Sequence, residues 1–227
     1  MRGVKRNSST FWRAGQPESV VARGGPRAHT ATMRYSTDIV VIDLEASCPA
    51  EDEGNNSVGR SNIIEIGAVR LDRRSLEIVD EFSELVHPRD YPVTGFITDL
   101  TGITASMVQS CEDFAAVGSR FLAWYGPRNR SILAAWGAYY DVPLLRKECE
   151  AFGLPFREHI VGGAYDIRAI GIAWLASHGH RTSGATLDSV LRKMDLAGRF
   201  TSHRAVEDAR ATAAILQVHH LGRALLD

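Results

Sequence analysis

Apolar and polar positions follow two rhythms along this chain. Ile39-Val40-Val41-Ile42 is an unbroken apolar run ending at Asp43, the pattern of a strand buried on both faces. Residues 63–71 and 78–86 are rich in β-branched side chains and are split by Asp72-Arg73-Arg74-Ser75, which predicts an antiparallel hairpin. The polar segment 49–62, carrying Glu51, Asp52 and Glu53, predicts a loop, and Pro88 and Pro92 mark a connection after the hairpin. Phe114, Val117, Phe121 and Trp124 recur at helical spacing until Gly126-Pro127 stops them. A fourth strand is expected over 132–136 and a short fifth over 160–164. Helices are expected over 142–152, with Gly153 as the C-terminal cap, and over 167–177, 187–194 and 204–221. Three early strands followed by alternating helices and strands predict an α/β domain with a mixed five-stranded sheet.

Composition narrows the class. The 227 residues are 44% hydrophobic and 23% charged, a balance that excludes wholesale disorder and fibrous repeats. No apolar run approaches the length of a membrane span, so no membrane association is expected. Cys48, Cys111 and Cys149 form no C-x-x-C pair, which argues against a disulfide framework or structural zinc and for a reducing, cytoplasmic setting. The net charge of −1 conceals an asymmetry. Residues 1–32 carry six basic side chains against the single acid Glu18, leaving the remainder at −6. Residues 1–35 lack periodicity and are expected to form a disordered basic tail, with Met33 the favoured translation start and a folded domain over 36–224.

Three places hold candidate chemistry. Asp43 and Glu45, two apart at the end of the first strand, send both carboxylates to one face of the sheet. Adjacent acids repel, and a cation between them would resolve the conflict; a solvated turn is the plain alternative. Asp141 follows Trp136-Gly137-Ala138-Tyr139-Tyr140 at a strand-to-helix junction, where sites of α/β sheets gather, although capping the next helix would also explain it. His203-Arg204-Ala205-Val206-Glu207-Asp208 places His203 at the start of the last helix and Asp208 about one and a half turns on. Glu207 points elsewhere, toward solvent. His178 and His180 read as a polar loop rather than a metal site, and His219-His220 as a solvated helix end.

Taken together, D-x-E, then D, then H-x-A-x-x-D resembles the DEDDh (DnaQ-like) family of 3′–5′ exonucleases, with a ribonuclease-H-like fold. The likeness runs from about Ile39 to His220. It includes Asp43-Leu44-Glu45-Ala46-Ser47-Cys48, Ile63-Ile64-Glu65-Ile66-Gly67-Ala68-Val69, His87-Pro88 and Leu100-Thr101-Gly102-Ile103-Thr104. Those phrases are most similar to the branch of histone-mRNA and small-RNA exonucleases and of bacterial sporulation-inhibitor-type exonucleases.

The resemblance implies that Asp43, Glu45, Asp141 and Asp208 hold two Mg²⁺ (or Mn²⁺) ions, the hard cations that oxygen ligands suit. It implies His203 as the general base, since imidazole titrates near neutral pH. The substrates implied are single-stranded RNA or DNA 3′ ends, RNA ahead of DNA, with nucleoside 5′-monophosphates released. Leu44 and Ala46 are expected near the terminal 3′-hydroxyl, Ile103 as a wedge against the last base, and Phe96 and Tyr140 as stacking platforms. Core packing is an equal alternative for Phe96, Tyr140 and Ile103. Glu65 is expected either to support the metal-binding acids or to form a salt bridge within the sheet. The chain departs from the branch in having two residues, not one, between Gly137 and the Tyr140-Asp141 pair, so a bulge is expected and either Tyr139 or Tyr140 could meet the base. A fold-retaining regulator that binds without turnover, or a polymerase proofreading subunit acting on DNA, are the alternative functions.

Overall fold

The buried apolar run of the first strand becomes the middle of a five-stranded sheet in the computed structural model, which describes residues 35–222 apart from 56 and 202. The expected N-terminal tail and the Met33 start lie outside the described residues. Strand β1 (Asp38–Ser47) pairs antiparallel with β2 (Asn62–Leu71), which pairs antiparallel with β3 (Ile78–Leu85). On its other side β1 runs parallel to β4 (Ser131–Ala135), and β4 to the two-residue β5 (Tyr165–Asp166), giving the order β3-β2-β1-β4-β5. Such a mixed sheet needs cover on both faces. The helices supply it: α1 (Gly95–Thr101), α2 (Ala105–Gln109), α3 (Phe114–Tyr125), α4 (Ala138–Ala151), α5 (Phe156–His159), α6 (Ile167–Ser177), α7 (Leu187–Lys193) and α8 (Ala205–Leu221).

Period-two alternation in β1 sorts its residues between two cores. Val40, Ile42 and Leu44 pack with Phe114, Phe121, Leu144 and Leu145 from α3 and α4. Ile39 and Val41 pack with Ile167, Val190, Ala209 and Leu216 from α6, α7 and α8. Asp43 and Glu45 continue that second stripe, so they sit on the face that α8 covers. A register shift between Glu45 and Ala46 marks a bulge against β2; bulges of this kind re-aim side chains next to sites.

Several boundaries differ from the sequence reading. The fifth strand lies at Tyr165–Asp166, not 160–164: Gly162 and Gly163 break the earlier segment, and Gly162 has φ +84°. The segment read as a Pro-bearing connection contains α1 and α2, each started by a threonine whose hydroxyl accepts an N–H three residues on, Thr94 from Ile97 and Thr104 from Met107. Two short 3₁₀ turns, Ala50–Asp52 and Val58–Arg60, punctuate the polar loop. Helix α4 begins four residues earlier than expected, at Ala138, because Gly137 turns the chain with φ +76°. That turn, rather than a bulge, absorbs the extra residue before Tyr140-Asp141. Asp141 consequently stands inside the first turn of α4 and does not cap it.

Candidate metal centre and active site

The acids of the three motifs meet at one end of the sheet. One carboxylate oxygen each from Asp43, Glu45 and Asp208 lies within 4.8 Å of the others. Asp141, itself 5% exposed, lines the same cleft of about 360 Å³. Four elements therefore contribute: the end of β1, the first turn of α4, the first turns of α8, and the β2 strand that buttresses the helix.

Each position has a local cause. Asp43 and Glu45 are held by the β1–β2 register, Asp43 opposite Gly67 and Glu45 opposite Glu65. Gly137 is fixed by Asp166, which accepts its N–H at 3.1 Å while capping α6 through the Arg168 N–H at 3.0 Å. The α4 turn is thus tied to β5. Asp208 accepts the backbone N–H of His203 at 3.0 Å. His203 has φ +64°, the left-handed region that few residues with a side chain occupy and where His is enriched. Its imidazole is exposed and does not line the cleft.

So many acids in one buried place raise one another's proton affinity. Asp43 is pushed well above the ordinary carboxylate range, first by burial and then by Asp141, Glu45, Asp208 and Glu65. Glu45 is raised to about 8 by burial and by Asp208, Glu65 and Asp141, with Arg204 opposing. Burial raises Asp141 to about 7 even though the Leu44 N–H favours its ionised form. Asp208 is raised by burial too, with the His203 N–H and the His203 side chain pulling the other way. Four carboxylates gathered this way, with no cation offsetting burial at Asp43 or Asp141, make a receptor for positive charge. Hard oxygen donors with no sulfur or nitrogen among them fit a divalent ion such as Mg²⁺ or Mn²⁺.

Apolar and aromatic side chains share the cleft walls with the acids. Leu44 and Ala46 line it beside the acids, as do Phe96 and Leu100 from α1, Trp136, and Tyr139 and Tyr140 at the start of α4. Phe96 and Leu100, 41% and 45% exposed, stand one turn apart on the same face of α1. Leu100 escaped the sequence reading; its i,i+4 spacing from Phe96 was the available signal, hidden because the helix itself went unrecognised. Tyr139 is open to solvent, whereas Tyr140 is partly buried with its hydroxyl 3.5 Å from Ser61 Oγ. The expected wedge, Ile103, is corrected: its side chain is fully buried with Cys48, Ile64, Val93, Ile97 and Val108, leaving no surface for a base. Among the described residues Glu65 makes no pair within the sheet; its ion pair is to Arg204 at the start of α8, at 2.7 Å. Glu207, expected to point to solvent, is instead partly buried and pairs with Arg210, which also reaches Glu81 on β3. His178 caps α6 and stacks on Trp174 at 4.0 Å, so it is engaged locally.

A mixed five-stranded sheet with carboxylates converging from its first strand and last helix defines a ribonuclease-H-like nuclease domain. The exonuclease family model (RNase_T) matches residues 40–216, and the chain belongs to that family; its described part is an exonuclease domain. Among relatives, PolC-type DNA polymerase III of Caldanaerobacter subterraneus subsp. tengcongensis is 30% identical over 184 residues, 78% of this chain and 11% of the polymerase. The enzyme of the same description from Thermotoga maritima is 31% identical over 178 residues, again 78% of this chain and 11% of the relative. The chain therefore corresponds to about a ninth of these polymerases' length. Among solved structures, the nuclease domain of 3′hExo, a DEDDh family member bound to rAMP, superposes with TM-score 0.69 at 24% identity, covering 85% of this chain and 96% of that domain. Exonuclease I of E. coli in complex with a dA16 oligonucleotide gives TM-score 0.61 at 15% identity, over 80% of this chain and 41% of the other. These two likenesses show the shared fold. Among the described residues no helix is long and apolar enough to cross a membrane.

Proposed function

We propose that this protein is a metal-dependent 3′–5′ exonuclease that shortens single-stranded ends or overhangs, RNA ahead of DNA, and releases nucleoside 5′-monophosphates. The observation that carries the reading is the meeting of Asp43, Glu45 and Asp208 within 4.8 Å, beside buried Asp141, at the floor of an aromatic-walled cleft. Asp43, Glu45, Asp141 and Asp208 would hold two Mg²⁺ or Mn²⁺ ions. Bound there, the ions supply positive charge for the scissile phosphate and for the attacking water. Phe96 and Leu100 form one wall for the terminal base and Tyr140, with Tyr139 at the rim, the other; Leu44 and Ala46 lie where the terminal sugar would rest. His203, at the entry of α8, would turn inward and take a proton from the attacking water as the phosphodiester bond breaks. The three cysteines are unpaired, which suits a reducing, cytoplasmic setting.

The preference for RNA is supported by the motif phrases of the RNA-acting branch. The PolC-type relatives favour a second reading, removal of mismatched 3′ ends from DNA. One assay separates them: 5′-labelled RNA, DNA and mismatched primer–template are incubated with Mg²⁺ or with chelator. A ladder retreating from the 3′ end of single-stranded RNA, lost in Asp43→Ala, is the expected result. Faster removal of a mismatched DNA terminus would favour proofreading, and binding without any shortening would overturn both readings.

A further inference from the structure

The first turn of a helix has N–H groups without helical partners, and α8 has no capping side chain of its own, because Arg204 precedes it and offers no acceptor. The acceptor comes from the sheet. Glu65 on β2 is 1% exposed and accepts the Ala205 N–H at 3.0 Å. The same carboxylate accepts from the Arg204 guanidinium, at 2.7 Å from Nη2 and 3.2 Å from Nε. Strand and helix are thus joined through three donor groups on one carboxylate, directly opposite Glu45 in the β1–β2 register. Burying an ion pair is weak support for stability, because desolvating both charges offsets much of their attraction. Such a pair does fix a place. Here the place fixed is the start of α8, with Asp208 about one turn beyond and His203 two residues before.

We infer that Glu65 is a positioning residue: with Arg204 it sets the entry of α8 so that the Asp208 carboxylate meets those of Asp43 and Glu45. This rests on the proposal that those acids form the metal site of an exonuclease. A sheet residue with no role beyond packing would have no need of charge at this buried position, and an apolar side chain would leave the Ala205 N–H unpaired.

The test uses the full chain and two variants. Glu65→Gln keeps the size and one acceptor for Ala205 but loses the charge facing Arg204. Arg204→Ala removes a side chain that is 41% exposed, so folding is retained even if Glu65→Gln folds poorly. Mn²⁺ binding is titrated without substrate, melting temperature is recorded, and kcat and KM are measured on a short oligonucleotide. Both variants are expected to weaken Mn²⁺ binding and lower kcat by about tenfold or more, the usual effect of removing an outer partner of a metal site. KM should stay within about threefold of wild type, and the double variant should be no worse than the more impaired single. Wild-type Mn²⁺ affinity and kcat in a folded variant would overturn the inference, as would losses that merely follow the unfolded fraction. If wild type shortens no strand while Mn²⁺ affinity still falls in the variants, the exonuclease reading fails and the positioning role stands.

Discussion

Gly67 lies so close beneath Ala205 that a β-carbon on the strand residue would come 2.1 Å from the Ala205 carbonyl carbon and equally near the Val206 nitrogen. Backbone meets backbone there, and no side-chain rotation can relieve the contact. Gly67→Ala should therefore lift the start of α8 off the sheet. The expected cost is about 1–3 kcal/mol of stability, as for other overpacked sites, together with a loss of nuclease activity beyond what the melting temperature explains. Denaturant unfolding and turnover, measured side by side, check this.

The acids give a pH dependence whose sign is fixed. Glu45 rises from 4.5 to about 8 and Asp141 from 3.8 to about 7, both chiefly through burial. Between these values the folded, chelator-treated protein holds more protons than the unfolded chain, so its stability falls as pH rises from about 4 toward 8. Melting temperature without metal should decline across that window, and Mg²⁺ or Mn²⁺ should restore it at the alkaline end. Metal uptake near pH 7 should release protons, seen as a dependence of the calorimetric heat on the buffer's ionisation enthalpy. A melting temperature that climbs between pH 5 and 8 without metal would contradict this account.

Phe96 and Leu100 present an apolar face to the cleft without belonging to a core. Replacing both with Ala should leave folding intact and weaken the hold on the last base, by about 1–3 kcal/mol if stacking is the contact. The loss should fall on KM more than on kcat. Ile103→Val, buried in the neighbouring core, should change melting temperature by a small amount and leave KM alone.

His203 stands outside the carboxylate cluster, and its role is separable from metal binding. His203→Ala should retain Mn²⁺ affinity and reduce kcat by about 10²–10⁴, the usual range for a general base. Full activity at neutral pH would remove His203 from the mechanism.

The strand residues of the site were readable in the sequence because their signals are local. An apolar run fixes β1, and a spacing of two sends Asp43 and Glu45 to one face. Asp208 was legible only through the combined motif, because a His and an Asp at that spacing on a helix read by themselves as a surface pair. Asp141 was ambiguous because a carboxylate near the start of a helix looks like a cap, and the left-handed turn at Gly137 that moves the helix start depends on Asp166, a partner distant in sequence. Leu100 and Ile103 were misjudged for a related reason. Helix α1 is only seven residues long and is stabilised by packing, so periodicity gave too little to tell its cleft-facing side from its core-facing side.

The cluster draws on a strand beginning at Asp38 and a helix beginning at Ala205. A chain still emerging from the ribosome already displays Asp43 and Glu45 but has no Asp208 to set against them. The group of three cannot assemble until nearly all of the described domain has been translated, so a half-made copy carries two of these acids and lacks the third.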